Sequence, residues 1–248
     1  MNLLHELVDT ARETIKAGYY RPSNEIKYAP SLVKAIAAAQ ADNVRAIIAE
    51  VKPASPVSGK LIEGGLEAYV DRFVDEGACA LSVLTEPKHF FGSLANLKLG
   101  VRKGLPVLMK DFVIAEEQID CAAHYGASAV LLIASILPRK RLQTLIEYCH
   151  LAGREVLLEV ANRKEYEEAL ASEADLIGIN NRDLRTFQVD LQRTIDIAAG
   201  FEKEQPVVSL SGFRSRADLD KVAAVADAFL VGTSLLDGTT SVKELVLP

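Results

Sequence analysis

Several charged side chains stand inside, or directly after, short apolar runs of this sequence. Glu50 and Glu159 are each flanked by aliphatic residues, and an unpaired buried carboxylate would cost several kcal/mol or take up a proton. Their expected partners are Lys52, which follows the first run, and Lys110, which ends another. Two carboxylates and two ammonium groups at one site would supply both an acid and a base. A structural ion-pair network has the same composition, so both interpretations stay open at this stage.

Small residues stand at the ends of the last two apolar runs. Ser211 ends one run and Gly212 follows it, while Gly232 ends the other and Thr233 and Ser234 follow it. Their backbone N–H groups can approach an anion closely, which favours a phosphate site over the ordinary turn chemistry that Gly and Ser also provide.

Eight short runs rich in Val, Ile and Leu recur along the chain, with amphipathic stretches between them. The runs are nearly continuous rather than alternating, as expected of strands buried on both faces of a parallel sheet. The first and last begin at residues 46 and 227, so the intervals average about 26 residues, the length of a βα unit. The runs are AIIAEV (46–51), ALSVL (80–84), PVLMK (106–110), SAVLLIA (128–134), EVLLEV (155–160), DLIGIN (175–180), PVVSLS (206–211) and DAFLVG (227–232).

Eight βα units predict an α/β fold, the (β/α)8 or TIM barrel. A doubly wound open sheet is the alternative, but that fold usually has a glycine-rich turn after its first strand, and AIIAEVKPASP is not one. Active sites of such barrels lie at the carboxyl ends of the strands, so the charged residues are expected to share one mouth. The loop over residues 52–61 contains Pro, Ser and Gly and is expected to act as a closing lid.

The chain is expected to form one domain over residues 1–248, with the barrel in residues 46–248. Residues 1–45 are expected to form an N-terminal helical extension, with helices near 2–17 and 31–40. We expect the extension to do both: to cap one end of the barrel and to border the substrate mouth.

Composition narrows the classes of partner. The 248 residues carry a net charge of −6, which argues against nucleic acid or an anionic membrane as the main partner. The three cysteines are widely spaced and form no CxxC pair, which favours a cytoplasmic location and argues against a disulfide framework or zinc site. We therefore expect a cytoplasmic monomer or weak homodimer that acts on a small phosphorylated molecule without a metal or other cofactor.

Six segments, in this order, resemble the indole-3-glycerol-phosphate synthase family. The resemblance covers about residues 46–236, and its motifs are long. The segments are IIAEVKPASP (47–56), SVLTEPKHFFGS (82–93), LPVLMKDFVIAEEQID (105–120), VLLEV (156–160), IGINNRDLRTF (177–187) and FLVGTSLL (229–236).

The resemblance implies a carbon–carbon lyase of tryptophan biosynthesis. Its substrate would be 1-(2-carboxyphenylamino)-1-deoxyribulose 5-phosphate. The ring carbon that carries the carboxylate would attack the ketone, CO2 would leave, and loss of water would give indole-3-glycerol phosphate.

The resemblance also implies roles for individual residues. Lys110 resembles the general acid, and Glu159 its partner in proton transfer during dehydration. Lys52 resembles a lysine that engages anionic groups of the substrate, and Glu50 a carboxylate that tunes the cationic cluster. The remaining positions are substrate-holding Asn180, Arg182 and Ser55, the apolar wall of Phe90, Phe112 and Leu131, and the phosphate-binding set Ser211, Gly212, Gly232, Thr233 and Ser234.

The sequence departs from the family pattern at the end of the seventh run. There the family usually has Ala-Glu-Ser-Gly, whereas this chain has Ser209 and Leu210 before Ser-Gly, so Leu210 occupies a substrate-facing position without a carboxylate. An active synthase is the first hypothesis. The alternative is a catalytically weakened barrel that binds a phosphorylated or anthranilate-like ligand. A phosphosugar isomerase is a third reading, and Lys110 within LMKDF argues against it.

Overall fold

Eight parallel strands close into a barrel in the computed structural model, which describes residues 3–21, 27–55, 59–62, 64–183, 186 and 188–247. The strands are β1 Ala46–Val51, β2 Ala80–Leu84, β3 Val107–Lys110, β4 Ala129–Ile133, β5 Glu155–Val160, β6 Leu176–Asn180, β7 Val207–Leu210 and β8 Ala228–Val231. Each strand pairs with its neighbours in the sequence, and β8 pairs with β1, with Ala228 beside Ala46. The predicted (β/α)8 barrel is confirmed.

Helices follow the strands and surround the barrel. Several of the strands are one or two residues shorter than the apolar runs that predicted them. For example, Pro106 and Pro206 lie just before β3 and β7 and offer only their carbonyls to the neighbouring strands. The helices are α1 Leu3–Lys16, α2 Leu32–Ala41, α3 Leu66–Asp75, α4 Leu97–Arg102, α5 Glu116–Tyr125, α6 Arg139–Leu151, α7 Arg163–Leu170, α8 Gln192–Ala198, α9 Arg216–Val222, α10 Thr233–Leu236 and α11 Val242–Val246.

Alternate residues of the strands belong to different parts of the core. One buried cluster contains Ile48, Leu108, Leu157 and Val208, which fill the barrel interior. The residues between them belong to a second cluster that the strands share with the surrounding helices. Because side chains alternate along a strand, the next inward positions lie at the carboxyl end of the barrel. Those positions hold Glu50, Lys110, Glu159, Asn180 and Leu210.

Helix α2 closes the amino end of the barrel. Leu32 and Ile36 are fully buried in the interior cluster. The backbone N–H of Leu32 donates to the carboxylate of Glu155, at the start of β5, over 2.7 Å, and the Ser31 hydroxyl donates to the same carboxylate. A carboxylate at the N-terminus of a helix satisfies N–H groups that lack partners within the helix, which fixes α2 across the strand ends.

Helix α1 lies at the opposite end of the barrel. Leu3, Leu4 and Leu7 line the cavity at the carboxyl ends of the strands. Thr10 Oγ1 lies 3.0 Å from Nε2 of His89, in the loop after β2. The extension therefore caps the amino end of the barrel with one helix and borders its mouth with the other.

The loop after β1 contains a short antiparallel hairpin, in which Ala54 and Ser55 pair with Lys60 and Gly59. Residues 56–58 of the predicted lid lie outside the described residues. Among the helices of the described ranges, none combines the length and apolar character needed to cross a membrane.

Candidate active site

A cavity of about 990 Å³ opens at the carboxyl ends of the strands. Both acid–base residues and apolar residues of the sequence prediction line it. The lining residues predicted from the sequence are Glu50, Lys52, Ser55, Phe90, Lys110, Phe112, Leu131, Glu159, Asn180, Arg182, Leu210, Ser211 and Thr233.

Glu50 and Lys52 form a close ion pair at the end of β1. Lys52 Nζ lies 2.6 Å from Glu50 Oε1, and both side chains are largely buried. Burial alone would raise the pKa of Glu50, but the charges of Lys52 and Lys110 outweigh it and hold that pKa below its usual range. Arg182 adds to the same effect. Glu50 is therefore an anion within a cationic cluster.

Glu159 lies between Lys110 and Asn180 across three strands. The Asn180 side chain donates to Glu159 Oε1 over 2.9 Å, which orients the carboxylate. Lys110 Nζ lies 3.9 Å from Glu159 Oε2, an ion-pair distance longer than a hydrogen bond. Glu159 Oε2 is buried and accepts no hydrogen bond from the described residues. This oxygen and the ammonium group of Lys110 are placed to engage a ligand.

An apolar wall faces these charges. The rings of Phe90 and Phe112 lie with centroids 6.1 Å apart, and Leu131 is buried beside them in the cavity lining. The loop that carries Phe90 is shaped by Glu86, whose carboxylate accepts the N–H groups of residues 88, 89 and 90. Glu86 therefore has a structural role in presenting Phe90. A planar aromatic group fits between this wall and the charged strand ends.

A second cavity of about 680 Å³ adjoins the first, between the loops that follow β7 and β8. Gly212, Gly232 and Ser234 line it, and Ser211 and Thr233 border both cavities. Together the two cavities contain every site residue that the sequence predicted. Lys52 and Arg182 also border both, so cationic side chains lie where the cavities meet.

The loop after β7 has an unusual backbone conformation, and a side-chain hydrogen bond joins it to the loop after β8. Ser211 has φ of 72° and Gly212 of 98°, so two successive residues adopt the left-handed region. Successive backbone N–H groups in such turns form concavities that suit anions. The hydroxyl of Ser234 donates to the carbonyl of Phe213 over 2.6 Å, so this side chain joins the two loops.

Gly232 allows Glu50 to occupy its place. A Cβ atom at Gly232 would lie 2.6 Å from Glu50 Oε1. Any larger residue would therefore displace the carboxylate that pairs with Lys52.

The two departures in β7 point to opposite sides of the strand. Leu210 faces the cavity and is buried. Ser209 is also buried but faces α8, where its hydroxyl lies 2.6 Å from Thr194 Oγ1 and accepts from the amide of Asn181 over 3.0 Å. Ser209 is therefore fully hydrogen-bonded, and Asn181 in turn donates to the Ser211 carbonyl over 3.1 Å.

Sequence reasoning missed several lining residues. Asp111 directly follows Lys110, so its position after a strand was visible although its side-chain direction was not. Leu230 is the inward residue of β8, and strand alternation could have identified it. The leucines of α1 gave no such signal, because the packing of the extension against the barrel is set by long-range contacts. The missed residues are Leu3, Leu4, Leu7, Leu84, Asp111, Ile133 and Leu230 in the first cavity and Val189, Phe213, Arg214 and Val231 in the second.

Similarity to known proteins agrees with this geometry. The family model described as indole-3-glycerol phosphate synthase matches residues 4–245. The protein of that name from Burkholderia ambifaria (strain MC40-6) is 39% identical over 254 residues, covering 98% of this chain and 97% of its own length. That from Methanocaldococcus jannaschii is 39% identical over 207 residues, covering 81% of this chain and 77% of its own length.

A solved structure of tryptophan synthase subunit alpha from Legionella pneumophila shares the fold, with a TM-score of 0.61 at 14% identity, over 86% of this chain and 95% of that one. At this low identity, the structural likeness carries the fold alone. The sequence relationships also show the family, because the match to the family model runs along nearly the entire sequence. The chain belongs to the indole-3-glycerol phosphate synthase family.

Proposed function

We propose that this protein converts 1-(2-carboxyphenylamino)-1-deoxyribulose 5-phosphate into indole-3-glycerol phosphate, CO2 and water. The observation that carries the proposal is the joining of two cavities: one holds Lys110 and Glu159 beside an aromatic wall, and the other lies between small-residue loops. The substrate has the same two ends, an aromatic carboxylate and a phosphate.

The phosphate is expected to bind in the second cavity. Backbone N–H groups near Gly212 and Gly232 would approach its oxygens, while Lys52 and Arg182 supply positive charge at the junction. Binding energy gained at this end, away from the reacting atoms, orients the ring and the ketone toward each other.

In the first step, the ring carbon that bears the carboxylate attacks the ketone carbon. Lys110 is expected to donate a proton to the ketone oxygen as the carbon–carbon bond forms, which stabilises the developing alkoxide. The carbon–carboxylate bond then breaks, CO2 leaves, and the electron pair of that bond restores the aromatic ring. The wall of Phe90 and Phe112 would hold the ring against this end of the cavity.

In the second step, the new hydroxyl group leaves as water after protonation, and a proton leaves the neighbouring carbon to complete the indole. Glu159 is suited to proton transfer here, because its Oε2 atom is buried and without a hydrogen-bond partner in the described chain. Asn180 holds the carboxylate in place through Oε1.

A binding protein without turnover is the second candidate, and Leu210 is the observation that favours it. Leu210 leaves three carboxylates in the first cavity, Glu50, Asp111 and Glu159. Asp111 already accepts hydrogen bonds from Tyr20, Thr85 and Phe112, so Lys52, Lys110 and Arg182 outnumber the remaining two. That balance suits an anionic ligand whether or not it reacts.

We further propose that the protein works in the cytoplasm as a monomer or weak homodimer. The three cysteines support the location: all are free thiols, and Cys121 and Cys149 are buried in the core. The cationic residues Lys52, Lys110 and Arg182 in the cavity lining support a small anionic molecule as the partner.

The test is to supply the carboxyphenylamino-deoxyribulose phosphate and follow indole fluorescence, with a chelator present throughout. Turnover whose kcat falls by about 100-fold or more in Lys110→Met supports the synthase. Saturable binding without indole formation would instead support the weakened barrel and overturn the proposed activity.

A further inference from the structure

Two consecutive tyrosines connect the N-terminal extension to the strand ends around Lys110. Tyr19 and Tyr20 follow α1, and their rings pack edge to face with centroids 4.9 Å apart. The Tyr19 hydroxyl donates to the carbonyl of Thr85 over 3.0 Å, at the end of β2. The Tyr20 hydroxyl donates to Asp111 Oδ2 over 2.8 Å, at the end of β3.

Asp111 is a buried carboxylate that the proposed mechanism leaves without a role. Its Oδ2 atom accepts from Tyr20 and from the hydroxyl of Thr85, and its Oδ1 atom accepts from the N–H of Phe112 over 2.8 Å. Asp111 also borders the cavity, directly after Lys110. Three donors converge on this one side chain from three different segments, and all three suit its ionised form.

Thr85 completes a connected set of hydrogen bonds around Lys110. Its N–H donates to the carbonyl of Lys110 over 3.1 Å, and its hydroxyl donates to Asp111. Thr85 therefore holds both the carbonyl of Lys110 and the carboxylate of the next residue, Asp111. The hydrogen bonds of Tyr19 to Thr85 and of Tyr20 to Asp111 extend this set into the N-terminal extension.

The charge state of Asp111 depends on this surrounding set. Burial raises the pKa of Asp111 to about 6, against the hydrogen bonds from Thr85 and Tyr20, which lower it. The ionisable groups around Asp111 are Tyr19 and Tyr20 after α1, Glu86 after β2, the adjacent Lys110, and Cys121 on α5. Glu86 raises the pKa further, and no histidine is among these groups.

We propose that Asp111 is a positioning residue. Together with Tyr20 and Thr85 it fixes the position of the Lys110 ammonium group. Proton donation by Lys110 therefore depends on a contact with the N-terminal extension. Protonation of Asp111 weakens the acceptance of these hydrogen bonds and loosens the segment that carries Lys110. The kinetic readout rests on the proposed synthase activity.

Tyr20→Phe is the sharpest test, because it removes one hydroxyl and keeps the ring. We expect kcat to fall by about tenfold, with KM changed by less than about twofold. The acidic limb of kcat, expected near pH 6 in the unaltered protein, moves to higher pH because a hydrogen bond to the carboxylate is lost.

Tyr148→Phe is the matched control. Tyr148 also donates to an aspartate, Asp120, over 2.9 Å, but it lies on α6 away from the cavity lining. This variant is expected to keep both kcat and the pH profile.

A second pair of variants tests the other side-chain donor to Asp111. Thr85→Val is expected to lower kcat in the same way as Tyr20→Phe. Thr85→Ser keeps the hydroxyl and is expected to keep kcat near that of the unaltered protein.

Two outcomes overturn the inference while leaving the proposed function intact: full kcat with an unmoved acidic limb in Tyr20→Phe, or an equal loss in Tyr148→Phe. Absence of turnover in the unaltered protein contradicts the proposed function instead. In that case, the position of Lys110 is read from the 15N chemical shift of its ammonium group, and an unchanged shift in both Tyr20→Phe and Thr85→Val contradicts the positioning role.

Discussion

Lys110 on β3 and Glu159 on β5 face each other across the barrel mouth, with 3.9 Å between Nζ and Oε2. The intervening strand β4 contributes Leu131 and Ile133 to the apolar surface beside them. At this separation the opposite charges attract, but the two groups do not form a hydrogen bond with each other. A substrate oxygen can therefore receive a proton from the lysine while the carboxylate keeps an open acceptor position.

Replacing Lys110 by Met tests the assignment of the acid. We expect kcat to fall by about 100-fold or more, the usual size of a general-acid contribution. The melting temperature should change little, because the aliphatic stem of Met fills similar space. Lys164→Met, at an exposed position on α7, is the control and should leave steady-state kinetics unchanged. Near-normal kcat in Lys110→Met would show that another group donates the proton.

Gly232→Ala tests the contact between the two cavities. The added Cβ would lie 2.6 Å from Glu50 Oε1, so the carboxylate must move away from Lys52. We expect kcat/KM to drop by about tenfold or more, as misplacement of a site residue commonly does. Gly65→Ala is the matched control, because Gly65 has an ordinary φ of −86° and an added Cβ there meets nothing within 4 Å. Equal kinetics in the two variants would argue against a role for the Glu50–Lys52 pair.

Leu210→Glu tests whether the cavity still suits a carboxylate at the end of β7. Lys52, Lys110 and Arg182 line the same cavity and offer it partners. We expect kcat/KM to rise by about tenfold, or about 1.4 kcal/mol of transition-state stabilisation. Steady-state kinetics and thermal melts on one preparation provide the measurement.

The contrary outcome for Leu210→Glu has its own physical basis. Leu210 Cδ1 would lie 3.0 Å from a Cβ atom at Gly178, so the leucine is closely packed. Lower activity with a lower melting temperature would mean that the interior has been rebuilt around the leucine and leaves the new carboxylate without partners.

Asp111 predicts a pH dependence of stability. Its pKa is raised from 3.8 to about 6, so between these values the folded state binds a proton that the unfolded chain has lost. The stability that this group contributes is complete below pH 3.8 and is lost as the pH rises through about 6. The Asp111→Asn variant does not titrate at this position, so its stability relative to the unaltered protein should increase as the pH rises through this window. Its kcat should nevertheless be lower than that of the unaltered protein.

Chemical denaturation of both proteins at pH 4 and pH 7 measures that difference. Asp218→Asn provides the control. Despite partial burial, hydrogen bonds from Lys221 and Arg214 hold the pKa of Asp218 below its ordinary value of 3.8, so this carboxyl is ionised in the folded protein at both pH values. The stability difference of this variant should therefore change little between pH 4 and pH 7. A stability difference for Asp111→Asn that does not change with pH would contradict the raised pKa.

The barrel and the charged strand ends were predictable because both depend on local patterns. Continuous apolar runs identify buried parallel strands. A polar residue that ends such a run and faces inward must lie at the mouth of the barrel. Glu50 and Lys110 followed from that reasoning. The bond between Tyr20 and Asp111 did not, because it joins residues 91 positions apart, and no period or spacing relates them. A cap at one end and a segment beside the mouth were both expected, but the sequence did not show which of α1 and α2 takes which place, for the same reason.

The contact of α2 with Glu155 affects the order in which parts of the chain fold. Leu32 and its acceptor are 123 residues apart, and Arg154 donates to the Lys27 carbonyl across 127 residues. During synthesis α2 is made early but has nowhere to dock until β5 has emerged, and closing so long a loop carries an entropic cost. Pulse-labelled hydrogen exchange during refolding should therefore show the amide of Leu32 gaining protection after the amides of β1 and β2.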